Sequence, residues 1–495
     1  MDALLSEKIR TEVIAEITPT KKELELQKTV IDSLVDALSN HSGSQAYSYT
    51  FIEAQGSTGK KQTQLRGAAD IDLFVGLKPQ DYASILEKRQ QERHRKLDQL
   101  MNGMVKDWFE PAVTNLDTME IQRAFSQHPY LSLKMAGLEI DILGCFDIEA
   151  SYLSEEGPIT AVDRTVHHTR YIADLLTDAK RENARILKSF VRASHAYGDR
   201  CAVGRMGLTG VALELLAILG DTLDDAFNAL LLLKDLPIDP LKRPLKELEK
   251  IPGFQDDYII LIDPTDYERN IASSFTPRAY EWVKYRINLL REASNNNKED
   301  EILRLILESS IPTDTLPDWI AKHALAWEFR SDGSRHYTIL RDKLYRVVRK
   351  IQDILKAERT GEPRFGEILA EVYFEQNMFS FGLLIENPQI SHSYIRRGPP
   401  MDLEEAVKEF RKTHKKVEEH DGFLWTTEER QWCNPHELVE SFLEENPILG
   451  LERFPGISHV SQKVLNILYR YVLRIESAFL EKMTKVKDGD LEIPL

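Results

Sequence analysis

One stretch of the chain, residues 56–75, constrains its fold more than any other. It begins with Gly56-Ser57, continues through a polar loop, and ends in the run Asp-Ile-Asp-Leu-Phe-Val at 70–75. Because side chains at positions i and i+2 of a strand lie on one face, Asp70 and Asp72 should lie side by side. Two carboxylates about 6–7 Å apart repel unless a cation lies between them. Mg²⁺ prefers such oxygen ligands, so the stretch predicts a metal site on a strand.

The loop before this strand carries residue types that bind phosphate. Ser57 and the amides after Gly56 could begin a helix whose N-terminus binds phosphates, and Lys60 and Lys61 add positive charge there. Alone, an Asp-x-Asp sequence is typical of a solvated strand end. The upstream Gly-Ser and the apolar strand favour the functional interpretation, a nucleoside triphosphate held through Mg²⁺.

A third carboxylate is expected on a neighbouring strand. In the run Leu-Glu-Ile-Asp-Ile-Leu at 138–143, Asp141 interrupts apolar residues, and a buried ionised carboxylate is costly unless it is paired or metal-bound. Glu139 shares its strand parity, so periodicity leaves both residues open. The more apolar neighbours of Asp141 favour it as the third ligand.

The hydrophobic pattern predicts an α+β fold in three parts, with boundaries at 1–155, 156–275 and 276–495. The first part combines helices with a largely antiparallel sheet, the second is strongly helical, and the third mixes both element types. A helix is expected over 18–39, capped by Thr18 with Pro19 at its first position, followed by a long helix over 82–108 and a helix opening at Thr209-Gly210. Strands are expected near 47–51, 70–75, 130–134 and 138–143. A Gly-Pro-Pro turn is expected at 398–400.

Composition sets the remaining limits. The formal net charge is −16, from 64 basic and 80 acidic residues, which argues against nonspecific coating of nucleic acid but leaves a local basic groove open. Three cysteines, Cys145, Cys201 and Cys433, lie far apart, which argues against disulfides and zinc and fits a reducing compartment. The sequence has no apolar run near the roughly 20 residues of a membrane span and no visible secretory signal. We therefore expect a cytoplasmic protein with no membrane partner.

The order of several short motifs resembles one family. Besides Gly-Ser, Asp-x-Asp and the later strand Asp, the matching segments are His128-Pro129-Tyr130, 161–165 with His168, Leu187-Lys188 with Tyr197-Gly198, 207–210 leading into 214–216, 263–266 with Arg269-Asn270 and Ala272, and 397–400. In this order they resemble archaeal-type (class I) CCA-adding enzymes, the tRNA nucleotidyltransferases of the DNA polymerase β-like superfamily. The resemblance spans roughly residues 20–410. Each motif alone is weakly specific, and only the motifs taken together are specific.

This resemblance implies a nucleotidyltransferase head, a helical neck and a tRNA-binding body and tail. It also implies a role for each site residue: Asp70, Asp72 and Asp141 as catalytic metal ligands, Ser57 with a basic loop residue as triphosphate ligands, His168, Lys188 and Tyr197 around the incoming nucleotide, and Arg269 in reading the base. The loop is one residue longer than usual, so Lys60 or Lys61 could bind phosphate; counting back from Thr63 favours Lys61. Two further departures are Asp70, where the family usually has Glu, and Gly144-Cys145-Phe146, where it tends to have Pro-Cys-Tyr.

The implied activity is template-independent addition of C, C and A to the 3′ end of tRNA from CTP and ATP. It would proceed by two-Mg²⁺ nucleotidyl transfer that releases pyrophosphate, and relatives make a homodimer plausible. Two other functions stay open: a related enzyme that makes cyclic or linear signalling oligonucleotides, and a non-catalytic RNA-binding module. Some residues also have ordinary structural explanations. His168 could be a core histidine, Arg269-Asn270 could cap a helix near Ile271, Cys145 could be a buried hydrophobe, and the basic runs 341–356 and 411–416 could be solvated helix faces.

Overall fold

We describe the protein from a computed structural model, over residues 4–125, 128–456 and 458–484. The chain divides into two compact units. Unit 1 comprises Met1–Cys201 and Met206–Ser309, and unit 2 comprises Ala202–Arg205 and Ser310–Leu495. Within the described residues, no helix is both long and apolar enough to span a membrane.

Unit 1 combines a sheet with many helices. Its helices are α1 (Glu7–Ile17), α2 (Lys21–Asn40), α3 (Ala83–Leu86), α4 (Gln90–Met104), α5 (Glu110–Val113), α6 (Ala150–Glu156), α7 (Asp163–Leu175), α8 (Asp178–Ala193), α9 (Gly210–Leu219), α10 (Leu223–Leu232), α11 (Leu245–Leu248), α12 (Pro277–Asn295) and α13 (Glu299–Leu307). Its strands are β1 (Tyr49–Gln55), β2 (Asp70–Leu77), β3 (Thr118–Phe125), β4 (Pro129–Met135), β5 (Leu138–Phe146), β6 (Ile262–Asp263) and β7 (Asp266–Asn270). A π-helical turn, Val105–Phe109, joins α4 to α5.

The main sheet of unit 1 has the strand order β1-β2-β5-β4-β3. The pairs β1–β2, β4–β5 and β3–β4 are antiparallel, as the sequence predicts for most of the sheet, whereas β2 and β5 run parallel. β2 is buried along nearly its whole length after Asp70, as expected of a central strand whose two faces are covered. The two central strands therefore carry Asp70, Asp72 and Asp141 next to each other.

Helix α2 begins two residues later than predicted. Thr20, and not Thr18, is its N-cap: the Thr20 side chain accepts from the Glu23 amide, and the Glu23 carboxylate accepts from the Thr20 amide. This reciprocal capping box satisfies two helix-end donors, which explains why it is preferred. Thr18 instead ends α1, where its amide donates to the Ile14 carbonyl.

Two apolar cores hold unit 1 together. One lies under the main sheet, where α2, α4 and the 105–113 segment cover β2 and β5; there the buried Trp108 donates its indole N–H to the Leu38 carbonyl at 2.8 Å. The other lies among the helices of the predicted central part, including α8, α9, α10 and α12. α9 opens after Thr209, as predicted. The predicted long helix over 82–108 is instead interrupted at 87–89, between α3 and α4.

Unit 2 contains two sheets with flanking helices. Its helices are α14 (Asp318–Ala321), α15 (Tyr337–Lys356), α16 (Glu404–Thr413), α17 (Pro435–Glu445), α18 (His459–Ile467), α19 (Leu473–Ile475) and α20 (Ser477–Thr484). Its strands are β8 (Ala324–Ser331), β9 (Ile368–Glu375), β10 (Met378–Ile385), β11 (Ser393–Pro400), β12 (Val417–His420), β13 (Phe423–Glu429) and β14 (Leu451–Phe454). The sheet orders are β14-β8-β10-β9 and β11-β13-β12.

The prediction of a turn at Gly398-Pro399-Pro400 is wrong, because these residues end strand β11. β11 is an edge strand, where proline is tolerated because one side of the strand needs no ladder donors. The ladder with β13 shifts register between Arg397 and Pro400. Gly398 packs against the Phe410 ring so closely that an added Cβ would lie 2.8 Å from it. Sequence reasoning missed this close approach.

Candidate active site

The predicted carboxylates lie on one face of the two central strands. In the parallel ladder of β2 and β5, Asp72 lies opposite Asp141 and Asp70 lies opposite Glu139. Residues in register on neighbouring parallel strands point to the same face, and so do residues two apart on one strand. The register therefore places all four carboxylates on one face of the sheet. Asp141 is the one opposite Asp72, whereas Glu139 lies further out, with its side chain 47% exposed and 3.4 Å from Arg200.

Burial and mutual repulsion make this cluster electrostatically costly. Burial, followed by the charges of Asp141 and Asp70, raises the pKa of Asp72 to about 7. Burial also raises the pKa of Asp70, with Glu139 adding to the effect, and that of Asp141, where a hydrogen bond from Ser132 opposes it. The raised pKa values mean that the ionised form of each of the three carboxylates is penalised. A positive charge placed among these oxygens would reverse the penalty.

The donor chemistry fits a hard divalent cation, because carboxylate oxygens are what Mg²⁺ prefers. Across residues 4–125, 128–456 and 458–484, however, no three His, Cys, Asp or Glu side chains are already gathered closely enough to hold a metal ion. Asp70, Asp72 and Asp141 would therefore have to turn toward a common point when an ion binds. Like-charged side chains with nothing between them are expected to stay apart.

The loop between β1 and β2 lies against these carboxylates. An added Cβ on Gly56 would lie 2.9 Å from the Asp72 Oδ2 atom, and the Thr58 hydroxyl donates to the Asp70 carbonyl at 3.0 Å. The expectation that Ser57 begins a helix is wrong, because residues 56–61 form turns. One of these turns brings Gly59 so close to the Ala54 carbonyl that a Cβ would clash at 2.4 Å. Ser57 itself lies in this turn, one residue after Gly56.

Lys60 and Lys61 have different environments. The Lys60 side chain is 58% exposed and pairs with Glu53 at 3.3 Å. The Lys61 side chain is 5% exposed, its Nζ atom lies 2.6 Å from the Glu214 Oε2 atom, and its charge lowers the pKa of Asp72. Lys61 is therefore the loop lysine directed toward the carboxylates, in agreement with the count from Thr63.

Lys188 contacts Glu214, the acid that also binds Lys61, from the other side. On α8, its Nζ atom donates to the Glu214 Oε1 atom at 2.6 Å and to the Thr63 hydroxyl at 3.0 Å. Although burial alone would raise it, the two lysines lower the pKa of Glu214 to about 2. The result is a buried cluster with two positive charges and one negative charge beside the metal-type carboxylates.

Tyr197 lies next to this cluster. An added Cβ on Gly210, at the start of α9, would lie 2.8 Å from the Tyr197 hydroxyl and 3.5 Å from the Lys188 Cε atom. Burial, followed by the charge of Glu214, raises the pKa of the Tyr197 phenol. Tyr197 is thus a neutral hydrogen-bonding group over the whole physiological range.

His168 and Arg269 form a second pair around a buried acid. The His168 Nε2 atom lies 2.5 Å from the Asp263 Oδ2 atom, and Arg269 donates to the same oxygen at 3.2 Å. Burial opposes the effect, but the hydrogen bond and charge of His168 lower the pKa of Asp263 to about 2. Arg269 lies in strand β7, so the alternative that Arg269-Asn270 caps a helix is wrong. Arg269 also lines a cavity of about 330 Å³, together with Arg164 and Thr209.

Sequence reasoning placed the two acids that organise these groups in matching segments but gave them no role. Glu214 and Asp263 are 1% and 0% exposed, and each binds two of the predicted nucleotide-binding side chains. A signal was present, because Glu214 is the one charged residue in the apolar run 210–219 and Asp263 follows the apolar run 259–262. The argument that selected Asp141, the cost of an unpaired buried carboxylate, applies equally to both.

The mixed sheet with its face of carboxylates, the adjoining Gly-Ser loop and the buried lysines are the features that the sequence resemblance implies for a nucleotidyltransferase. A model of the second domain of the tRNA nucleotidyltransferases matches residues 182–297. The CCA-adding enzyme of Methanopyrus kandleri is 26% identical over 519 residues, covering 98% of this chain and 95% of that protein. The enzyme of the same name from Methanothermobacter thermautotrophicus is 25% identical over 481 residues, covering 95% of this chain and 96% of that protein.

These comparisons confirm the resemblance to archaeal CCA-adding enzymes: the chain carries a tRNA nucleotidyltransferase domain and has homologues of that name over nearly its whole length. The domain match includes Lys188, Tyr197, Glu214 and Arg269. Among solved structures, CdnC of E. coli MS115-1 with ATP is similar at a TM-score of 0.43 and 14% identity, covering 62% of this chain and 98% of that one.

Proposed function

We propose that this protein adds C, C and A to the 3′ end of tRNA, using CTP and ATP and releasing pyrophosphate. The observation that carries the proposal is the register of Asp72 opposite Asp141, next to the buried lysine cluster. Carboxylates supply the metal ligands that phosphoryl transfer needs, and buried cations supply charge for a triphosphate. The near full-length similarity to CCA-adding enzymes supports tRNA as the acceptor.

Asp70, Asp72 and Asp141 are the residues that would hold Mg²⁺. A bound divalent cation would neutralise charge on the phosphates and promote loss of the proton from the attacking hydroxyl. The raised pKa of Asp72 means that this residue gains most from a nearby cation. Asp141, which accepts a hydrogen bond from Ser132, would complete the set of ligands from the second strand.

The remaining groups would bind and orient the nucleotide. Ser57 and Lys61 would contact the triphosphate from the loop, with Lys188 and Tyr197 on the opposite side. His168 and Arg269, fixed by Asp263, would face the base or sugar, since Arg269 lines the 330 Å³ cavity. Such positioning, rather than covalent chemistry, accounts for most of the rate enhancement in phosphoryl transfer.

Two arginines mark the side from which the RNA end would approach. Arg192, an exposed residue in the last turn of α8, and Arg200, 60% exposed, both lower the pKa of Asp70 by their charge. Their guanidinium groups are suited to the phosphates of the terminal nucleotides. We assign tRNA shape recognition to the part of the chain at 276–495, the role of the head to 1–155 and the role of the neck to 156–275. A cytoplasmic location and a homodimer belong to the same proposal.

The test is incorporation of labelled CTP and ATP, with and without tRNA that lacks its CCA end. We expect label only at the tRNA 3′ end, and loss of at least about 100-fold of the rate in Asp72→Asn because a metal ligand is removed. Glu120→Gln is the matched control, since Glu120 is an exposed acid of the same sheet that pairs with Lys134 at 2.7 Å. Soluble oligonucleotides made without tRNA would contradict the proposal in favour of a signalling enzyme. Full activity of Asp72→Asn would contradict the assigned site.

A further inference from the structure

Glu214 occupies an unusual position for an acidic side chain. It lies inside α9, whose other residues are all uncharged, and its side chain is 1% exposed. Its two carboxylate oxygens each lie 2.6 Å from a lysine Nζ atom, that of Lys61 on one side and that of Lys188 on the other. The hydroxyl of Thr63 also donates to it. One buried carboxylate therefore joins the β1–β2 loop to both α8 and α9.

The hydrogen bonds of the two lysines are not equivalent. A lysine ammonium has three N–H donors. Lys188 Nζ has three acceptors: Glu214 Oε1 at 2.6 Å, the Thr63 hydroxyl at 3.0 Å and the Thr63 carbonyl at 3.2 Å. Within the described residues, Lys61 Nζ contacts only Glu214, which leaves two donors for a ligand. Lys61 therefore has more donors left for a phosphate than Lys188 has.

The electrostatics of the cluster depend on its acid. Burial lowers the pKa of Lys61, the charge of Glu214 raises it, and the charge of Lys188 lowers it. Without Glu214, two buried ammonium groups would face one another with no carboxylate at hydrogen-bonding distance from either of them among the described residues. The two ammoniums would then separate, because unpaired buried charges are costly and like charges repel. The loop that carries Lys61 lies against Asp72 through Gly56. Movement of this loop would therefore change the position of the Asp72 carboxylate.

We infer that Glu214 is a positioning residue for nucleotidyl transfer, which holds the Lys61 ammonium beside the carboxylate face so that its remaining donors meet the incoming triphosphate. The inference rests on the proposed function and deepens it, because it explains how the Lys61 ammonium is held where its remaining donors can bind phosphate. Glu214 touches no reacting atom in this account. Its effect on the reaction passes through Lys61.

The experiment compares Glu214→Gln and Glu214→Asp with the wild type in steady-state kinetics, varying ATP, CTP and tRNA in turn. A positioning role predicts that Glu214→Gln raises the KM for both nucleotides by about tenfold or more, because it removes the charged partner of a buried pair. The KM of Glu214→Gln for tRNA should stay within about twofold of the wild-type value. Glu214→Asp, which keeps the charge on a shorter side chain, should recover part of the nucleotide affinity.

Glu53→Gln is the matched control, because Glu53 forms the exposed ion pair of the same loop with Lys60. It should leave all three KM values unchanged. If Glu214→Gln does not fold, Glu214→Asp carries the test alone, with a raised nucleotide KM, an unchanged tRNA KM and an unchanged circular dichroism spectrum expected. Wild-type nucleotide KM values in both variants, or equal loss of kcat for every substrate together with a lower Tm, would overturn the inference.

Equilibrium binding of ATP with Mg²⁺ separates this inference from the proposed function. Wild-type protein that binds ATP but labels no tRNA would contradict CCA addition. In that case, weaker ATP binding by Glu214→Gln would still support the inference. Equal ATP binding by Glu214→Gln and wild type would contradict the inference even if tRNA is labelled normally.

Discussion

At the scale of single residues, the acids of the site fall into two groups with opposite electrostatic environments. Asp72 is half-buried opposite Asp141, and no counter-ion lies at hydrogen-bonding distance from it among the described residues; desolvation and the charges of Asp141 and Asp70 raise its pKa to about 7. Glu214 is paired with two buried lysines, and Asp263 is paired with His168 and Arg269; although burial opposes the effect, these partners lower the pKa of each acid to about 2. The first arrangement is suited to capturing a cation, and the second to holding cations in place.

Asp72→Asn should therefore separate stability from activity. The change removes a carboxylate whose ionised form is penalised by burial and repulsion, so in metal-free buffer at pH 8 we expect Tm to rise by about 1–3 °C. Incorporation of nucleotide should be lost in the same variant. Thermal unfolding in EDTA, with Glu120→Gln as control, makes the measurement. A Tm that falls by several degrees would contradict the electrostatic account of this carboxylate.

The pH dependence of stability should report on Asp263. Its pKa in the folded protein lies below the ordinary value of 3.8, so its pairing contributes stability that is complete above that value and is lost as pH falls toward 2. Asp263→Asn should thus lower Tm clearly at pH 7 and progressively less as pH is reduced from 5 to 3. Thermal unfolding across this range checks the prediction. A difference in Tm that is constant with pH would show that the Asp263 charge contributes nothing.

At the scale of elements, the β1–β2 loop determines how close the phosphate-binding residues come to the carboxylates. Its turns depend on Gly56, whose φ is +67° and whose Cα faces the Asp72 carboxylate. A turn, unlike the expected helix, allows Lys61 to reach inward to Glu214 while Lys60 remains outside. The parallel pairing of β2 with β5 then places both strands' carboxylates in one register.

Gly56→Ala tests this element directly. The substitution imposes a left-handed conformation on alanine, at a cost of about 1 kcal/mol, and also places a Cβ 2.9 Å from the Asp72 Oδ2 atom. Gly67→Ala is the matched control, because Gly67 has φ +66° in the same loop but nothing within 4 Å of an added Cβ. We expect similar loss of Tm in both variants, and loss of at least about tenfold in kcat only in Gly56→Ala. Equal kcat values in the two variants would contradict a role of this loop in positioning residues beside the carboxylates.

Sequence patterns predicted the central strands and the face that carries the carboxylates because these depend on local alternation. Asp70, Asp72 and Asp141 interrupt apolar runs at positions of one parity, and the ladder places them as that parity requires. Strand β3 was not predicted because most of its residues are exposed on a sheet edge, so its apolar periodicity is weak. The end of β11 at Pro400 was misassigned because proline signals a turn unless edge pairing is known. The loop turns and the partners of Glu214 depend on long-range contacts that no local pattern contains.

At the scale of the whole molecule, the chain is acidic, yet its proposed acceptor is a polyanion. The net charge of −16 would repel tRNA at long range, so binding has to depend on local groups such as Arg192 and Arg200. Part of the basic run at 341–356 is not available for binding tRNA. Arg341 is 7% exposed and lies 3.1 Å from Asp342.

Affinity for tRNA should consequently fall steeply with salt. Neutralising even a few phosphates predicts a loss of about tenfold or more between 50 and 200 mM salt. Affinity for ATP, whose proposed binding site includes a largely buried cluster, should change less over the same range. Filter binding of tRNA and equilibrium binding of ATP, measured in the same buffers, make the comparison. A tRNA affinity that changes less than twofold would rule out binding through phosphate contacts.

The most direct measurement is a crystal structure of the protein with Mn²⁺ and a non-hydrolysable ATP analogue, with the metal located by anomalous scattering. The account predicts metal density about 2.0–2.6 Å from oxygens of Asp72 and Asp141, with Asp70 completing the set and the triphosphate within reach of the Lys61 ammonium. Density elsewhere, or carboxylates at 70, 72 and 141 that remain apart while the nucleotide is bound, would contradict it.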